Sequence, residues 1–271
     1  MAPKVKIGLA LGGGFARGIA HIGVLQALEA NHIPVDLVAG TSAGSLVGAM
    51  YCAGLDPGLL ARATEQMNWR ALVRLRLRRD GLLDAEGLER FMRGNIGDIQ
   101  FKDLKIPFVA TATDLASGRE VLLDAGRVST AVRASCAFPG IFRPVRVGQH
   151  TLVDGGLVHP VPAGVVRRMG ADLVIAVELS RPRDGEVKPL RNLLHIMLYS
   201  LALVQRPQVN LALNDADVVV QPDLNDFGVI ELDRVSDLIR AGRAAAEATM
   251  PAIMAAWERV AADCRDTPPP E

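Results

Sequence analysis

Ser42 stands in the pentapeptide Gly40-Thr41-Ser42-Ala43-Gly44. A G-x-S-x-G turn between a strand and a helix lifts its serine hydroxyl clear of the neighbouring side chains. That suits nucleophilic attack on an acyl carbonyl. A helix starting at Ser42 also aims its positive end at the hydroxyl. The plainer use of the same pentapeptide is a serine that only caps a helix. Upstream lies Gly12-Gly13-Gly14-Phe15-Ala16-Arg17-Gly18. Gly12, Gly13 and Gly14 present bare backbone N–H groups to a negative oxygen, and Arg17 adds positive charge. Read so, the loop is an oxyanion site, where losing one donor typically lowers the rate roughly a hundredfold to a thousandfold. Its plainer use is a tight turn that lets a helix pack on a sheet. A dinucleotide fingerprint fails, since Arg17 or Phe15 breaks every G-x-G-x-x-G and Asp36 opens the next strand instead of closing it. A P-loop fails because no Gly-Lys-Ser/Thr follows.

A serine nucleophile needs a base. The histidines are His21, His32, His150, His159 and His195. Only His195 comes late, as the Ser-acid-His order of α/β-hydrolases requires, and it sits in an apolar helical stretch that suits a structural role. His159 follows Asp154 too closely for an obvious triad. Asp154 is better placed: it ends a strand-like run, and Gly155-Gly156 follows at once. Its carboxylate can project at a sheet edge, although aspartate before glycine is also a common turn former. Asp80-Gly81 and Asp184-Gly185 are such turns.

These groups need elements that bring them together. Residues 5–11 form a short apolar run ending in glycine, as in a buried parallel strand. Residues 18–30 carry apolar side chains at helical spacing and stop at Asn31-His32-Ile33-Pro34. Residues 35–39 are a second strand, and 42–53 a second helix closed by Gly54. Strand, helix, strand, helix predicts a mostly parallel sheet covered on both faces, with two helix N-termini at one sheet edge. Further helices are expected over 56–67, over 82–93 with Asp84 as N-cap, and over 129–136 and 161–169. A helix over 192–213 is interrupted at Pro207, and a long one covers 234–262 with a bend near Pro251. Strands are expected over 106–113, 120–123, 173–179 and 218–221. A hairpin over 143–153 turns at Gly148.

Composition narrows the function. The chain has 271 residues, 49% hydrophobic, with 30 basic and 30 acidic side chains. A sizeable core is therefore available, and zero net charge leaves no nucleic-acid footprint. Cys52, Cys136 and Cys264 form neither a disulfide framework nor a metal-ligand spacing, and read as buried or idle thiols in a reducing compartment. The apolar run after Lys4 and Lys6 is too short for a secretory signal. One domain over 1–271 is expected: a motif-bearing part to about 180, a helical part at about 190–263, and a Pro-rich tail at 267–271. A cytoplasmic protein is expected, met by membranes at most peripherally.

Four blocks now carry a resemblance. They are Gly12-Gly13-Gly14…Arg17-Gly18 with Ala20-His21-Ile22-Gly23-Val24-Leu25, then Gly40-Thr41-Ser42-Ala43-Gly44. Ala134-Ser135-Cys136-Ala137-Phe138-Pro139…Phe142-Arg143-Pro144 and Asp154-Gly155-Gly156 complete the set. In this order over residues 5–180 they resemble the patatin-like phospholipase family, in its compact bacterial members and the catalytic domain of neuropathy target esterase. The resemblance implies a three-layer α/β/α fold and a serine hydrolase acting on acyl esters of lipids, often lysophospholipids or phospholipids. It implies a Ser-Asp dyad without histidine: Ser42 as nucleophile and Asp154 as base. It implies an oxyanion hole of backbone N–H groups around Gly13 and Gly14, with Arg17 supporting the loop, and neither metal nor cofactor. Where the family most often has a fourth glycine, this chain has Phe15. If that position has φ > 0, the side chain is strained there.

Two stretches can serve a lipid. Arg70, Arg74, Arg76, Arg78 and Arg79 can meet phosphate head groups, with the leucines between them on acyl chains, or form a solvated, salt-bridged face. Residues 193–204 can be a pocket wall, a lid, a homo-oligomer face or a core helix. Two rival functions are a non-catalytic regulatory protein that keeps the fold, against which the intact Ser42 and Asp154 argue, and a nucleotide-binding protein, disfavoured by the failed glycine spacings.

Overall fold

Short uncharged runs such as IGLAL and LVAGT must be buried on both faces, and a parallel sheet between helix layers does that. The computed structural model describes residues 5–67, 74–78, 81–84, 86–180, 193–229 and 231–266, with backbone alone at 74–78, 81–84, 193–195, 198 and 265–266. Strands β1 (Ile7–Leu11), β2 (Leu37–Thr41), β5 (Phe108–Asp114), β9 (Leu173–Val177) and β10 (Val218–Val220) lie parallel, while β6 (Glu120–Leu123), β7 (Val145–Val147) and β8 (His150–Asp154) join antiparallel. The order is β10-β9-β1-β2-β5-β8-β7, with β6 on β5.

Helices cover both faces. On one side Ile7, Leu9 and Leu11 pack with α1 (Ala20–Ala30), α2 (Ala43–Cys52), α5 (Val128–Ser135) and α8 (Val235–Asp266). On the other, Ala10, Ala39 and Val174 pack with α6 (Ala163–Arg168) and α7 (Leu193–Leu213). The result is the expected three-layer α/β/α fold. Helix α1 and α8 touch through reciprocal glycines: a Cβ on Gly23 would lie 1.9 Å from Ile239 O, and one on Gly242 would lie 1.9 Å from Ala20 O. That close packing fixes α1, and with it the loop that leads into it.

One junction decides the site. On β5, strand β2 takes register positions Phe108 to Thr111, and β8 takes Ala112 to Asp114. Strand β6 overlaps both, at Ala110 to Thr113, so it occupies the opposite edge. Strand β2 is parallel to β5 and β8 antiparallel. Their C-terminal ends therefore meet head-on along one edge, Thr41 opposite Thr111 and Asp154 opposite the next residue, Ala112.

Several local expectations change. The helix expected over 82–93 starts at Glu86 as α4 (Glu86–Ile96), and Asp84 ends a strand instead of capping it. That strand, β4 (Gly81–Asp84), pairs antiparallel with β3 (Arg74–Arg78), whose alternating RLRLR is a two-residue period. The arginine side chains proposed for head groups lie outside the described residues. Helix α7 runs through Pro207 without the expected interruption, and α8 includes Pro251. Both prolines are exposed, where the missing backbone bond faces solvent. Helix α3 (Pro57–Glu65) starts from an Asp56 cap whose carboxylate accepts from Gly58 N and Leu59 N.

Candidate functional site

Ser42 sits between β2 and α2 at φ 52°, ψ −123°, a conformation L-residues adopt only under constraint. The constraint is visible. A Cβ on Gly40 would lie 2.6 Å from Gly44 O, and one on Gly44 would lie 2.2 Å from Leu11 O. The first turn of α2 is therefore pressed onto the end of β1, and only glycines fit at both positions. The Ser42 N–H donates to Ser135 Oγ at 2.8 Å, and the Ser42 carbonyl accepts from Ser45 N at 2.8 Å.

Ser42 Oγ donates to Asp154 Oδ2 at 2.6 Å. Both residues are buried, Ser42 at 9% and Asp154 at 3% exposure. The other carboxylate oxygen, Oδ1, accepts from Gly156 N at 2.8 Å. Asp154 thus serves as turn former and serine partner at once, through different oxygens. Its backbone is fixed too: Asp154 N donates to Ala137 O at 3.0 Å, and its carbonyl accepts from Thr113 Oγ1 at 3.0 Å. Burial pushes the Asp154 carboxyl up to about 6, opposed by the bonds from Ser42 and Gly156. Behind Gly155, a Cβ would lie 2.4 Å from Thr111 O, so the acid turn sits flush on β5.

The glycine loop crosses beside Ser42: a Cβ on Gly13 would lie 3.5 Å from Ser42 Cβ. Two of the amides expected to be free are paired within the protein. Gly12 N donates to Val177 O at 3.1 Å and Gly13 N to Pro160 O at 2.9 Å, so both amides are engaged in holding the loop. Gly14 N and Phe15 N make no hydrogen bond among the described residues. They open the short helix Phe15–Ile19, Gly14 as its N-cap and Phe15 as its first residue, where amides have no partner within the helix. Phe15 has φ 51°, and its ring meets Phe138 edge-on at 4.7 Å between centroids. Arg17 donates through Nε and Nη2 to Phe227 O, at 3.3 and 2.9 Å. Its guanidinium braces the loop against a distant segment. Burial lowers its affinity for a proton, and the Glu178 carboxylate opposes that shift.

Three contributors have no role legible in the sequence. His21 is fully buried, and its Nε2 lies 2.8 Å from Gly12 O. Burial pushes the imidazole down to about 4, so at neutral pH it is uncharged and donates through Nε2. Ser135 holds the Ser42 amide. Gln205 of α7 donates to Gly156 O. His21 and Ser135 lie inside the blocks that carry the resemblance, but no spacing announces their partners. Among the described residues no histidine side chain is hydrogen-bonded to Ser42. His159 Nδ1 lies 2.8 Å from Glu120 Oε1, and His150 Nδ1 lies 3.7 Å from Asp114 Oδ1. The His195 side chain lies outside the described residues. The Cys136 thiol is raised well above its usual range, chiefly by burial and further by the Asp154 charge.

Comparisons with known proteins bear on the family and the fold. An uncharacterised NTE family protein of Mycobacterium tuberculosis is 37% identical over 187 residues, 68% of this chain and 51% of that protein. A second from the same organism is 32% identical over 277 aligned positions, 91% of this chain and 47% of that protein. The lysophospholipase nte1 of Aspergillus fumigatus is 34% identical over 185 residues, 66% of this chain and 12% of that protein. The chain thus spans about half the length of the mycobacterial relatives. Among solved structures, VipD of Legionella pneumophila aligns with TM-score 0.50 at 12% identity, over 95% of this chain and 67% of VipD. That likeness concerns the fold. The sequence model described as patatin-like phospholipase matches residues 9–167, from β1 past the acid turn. All four sequence blocks and the Ser42–Asp154 contact fall within that span, and the chain belongs to the patatin-like phospholipase family.

Proposed function

We propose that this chain is a serine hydrolase that cleaves acyl esters of lipids, lysophospholipids or phospholipids, through a Ser42–Asp154 dyad. The observation that carries the reading is the 2.6 Å bond from Ser42 Oγ to Asp154 Oδ2 at a strained strand-to-helix turn. In the first half-reaction, Ser42 Oγ attacks the ester carbonyl carbon while its proton passes to Asp154 Oδ2. The carbonyl electrons move onto oxygen, and that oxyanion is met by the N–H groups of Gly14 and Phe15. Collapse expels the alcohol, which takes the proton from Asp154 and leaves an acyl-serine. Water then gives a proton to Asp154 and attacks the acyl carbon, releasing the fatty acid as Ser42 recovers its proton. A carboxyl at about 6 suits both roles, being ionised at neutral pH yet able to hold a proton briefly. Membership of the family and the name of the fungal relative, a lysophospholipase, support lipid esters as the substrate class.

The test is a fluorophosphonate probe together with turnover of lysophosphatidylcholine. The wild-type chain is expected to be labelled and active, and Ser42→Ala to be neither. Labelling that persists in Ser42→Ala, or a wild-type chain inert to both reagents, overturns the proposal.

A further inference from the structure

Helix α7 is apolar on its outward side as well as its inward one. Its inward side holds Gln205, Val209 and Ala212, the last two buried at 7% and 9% exposure. On the side facing away from them lie Ile196, Met197, Leu203, Val204 and Leu211, exposed by 44, 51, 43, 67 and 67%. These apolar residues recur at helical spacing, so they make one stripe. The sequence of α7 contains no Asp, Glu or Lys, and Arg206 is its one arginine. Contiguous apolar surface of this kind marks an interaction face.

We infer that this stripe lies on a lipid–water interface, with α7 in the plane of the head groups and the Ser42 site directly behind it. The inference rests on the lipid-hydrolase reading only in taking lipid as the occupant. Two observations tie the helix to the site. Gln205 donates to Gly156 O, and Gly156 N donates to Asp154 Oδ1. Met197 Cε approaches Gly140, in the loop after Phe138. These contacts set α7 beside the dyad. The stripe's chemistry favours lipid over a protein partner. The stripe itself is aliphatic with one methionine and holds none of the Trp, Tyr and Arg that anchor protein interfaces, while the exposed Arg206 and half-buried Tyr199 lie on its flank. The absence of carboxylates on α7 lets it approach anionic head groups without repulsion. No helix among the described residues is long and apolar enough to cross a membrane, and an in-plane helix needs only one apolar face.

The test uses the full chain carrying Ser42→Ala, so that vesicles stay intact, sedimented with equimolar phosphatidylcholine and phosphatidylglycerol vesicles. The parent is expected to pellet with the vesicles. Adding Val204→Asp and Leu211→Asp is expected to weaken partitioning at least about tenfold. The same pair in the active chain is expected to leave turnover of a soluble short-chain p-nitrophenyl ester unchanged. Should the Asp pair disturb folding, Val204→Gln with Leu211→Gln replaces it. Pelleting that survives these substitutions overturns the inference, as does a parent that never pellets. So does light scattering in which the stripe variants convert a dimer to a monomer without altering pelleting. If the chain pellets through the stripe but cleaves no ester, the docking face stands and the hydrolase reading falls.

Discussion

Ser42 Oγ and Asp154 Oδ2 are 2.6 Å apart because the strands that carry them run head-on along one edge of β5. Among the described residues nothing else brings a carboxylate to the serine, and no histidine side chain hydrogen-bonds to either group. On the proposed mechanism the base is the ionised Asp154. Its burial raises the carboxyl to about 6, so the active form builds up as pH rises through that value. For a soluble acyl ester, kcat/KM is expected to climb across about pH 5–7 and then level. A profile that is flat across this window removes Asp154 as the base. Asp154→Asn is expected to lower kcat by at least roughly a thousandfold with the fold intact.

Two buried groups pull stability in opposite directions. Between 3.8 and about 6, Asp154 is protonated in the native chain and ionised in the unfolded one, so its contribution is lost as pH rises. Between about 4 and 6.5, His21 is neutral in the native chain and charged in the unfolded one, so its contribution is lost as pH falls. Each amounts to about 3 kcal/mol, and over the shared window they offset. Asp154→Asn removes one of them. That variant is expected to melt above wild type at pH 8, and to lose stability more steeply than wild type on acidification from 6.5 to 4. Parallel melting curves for the two proteins across this range contradict it.

The motifs and most elements are legible in the sequence, because buried strands and amphipathic helices announce themselves by hydrophobic period. Ile7–Leu11, Leu37–Thr41 and the Ser42 turn are visible in this way. The junction that joins Ser42 to Asp154 is not, since strand order and register depend on contacts between residues 112 positions apart. The acid can be proposed from its strand end and its two glycines, but its partner comes only from the resemblance. The pairing of the loop amides is hidden for a similar reason. Gly12 and Gly13 look free as sequence, yet their amides are taken by Val177 O and Pro160 O, carbonyls some 150 residues away. At Arg74–Arg78 the alternation is present, but so many arginines close together read first as a charged surface and not as a strand.

Phe15 offers a test of the loop's backbone. At φ 51° a side chain carries a penalty of roughly 1–2 kcal/mol that glycine escapes. Phe15→Ala and Phe15→Gly both lose the contact with Phe138, but only alanine keeps the penalty. The glycine variant is expected to be the more stable of the two by about 1 kcal/mol in urea unfolding, reversing the usual order at the start of a helical turn. An alanine variant as stable as the glycine variant means residue 15 is not left-handed in solution.

His21 offers a test of the loop's position. Its Nε2 holds Gly12 O, and that carbonyl lies 2.6 Å from where a Cβ on Gly44 would stand, so it is wedged between the loop and the nucleophile turn. Releasing it lets the loop drift relative to Ser42 without touching any substrate-facing side chain. His21→Leu removes the donor, whereas His21→Gln can still offer an amide N–H to the same oxygen. His21→Leu is expected to lower kcat by roughly tenfold to a hundredfold with KM little changed, because an oxyanion donor acts mainly in the transition state. His21→Gln is expected to recover part of that loss. The split between kcat and KM separates this role from general packing, which would depress the amount of folded protein and leave the kcat of the folded fraction alone. Equal kcat values for the leucine variant and wild type, corrected for folded fraction by active-site titration, show that His21 only fills space.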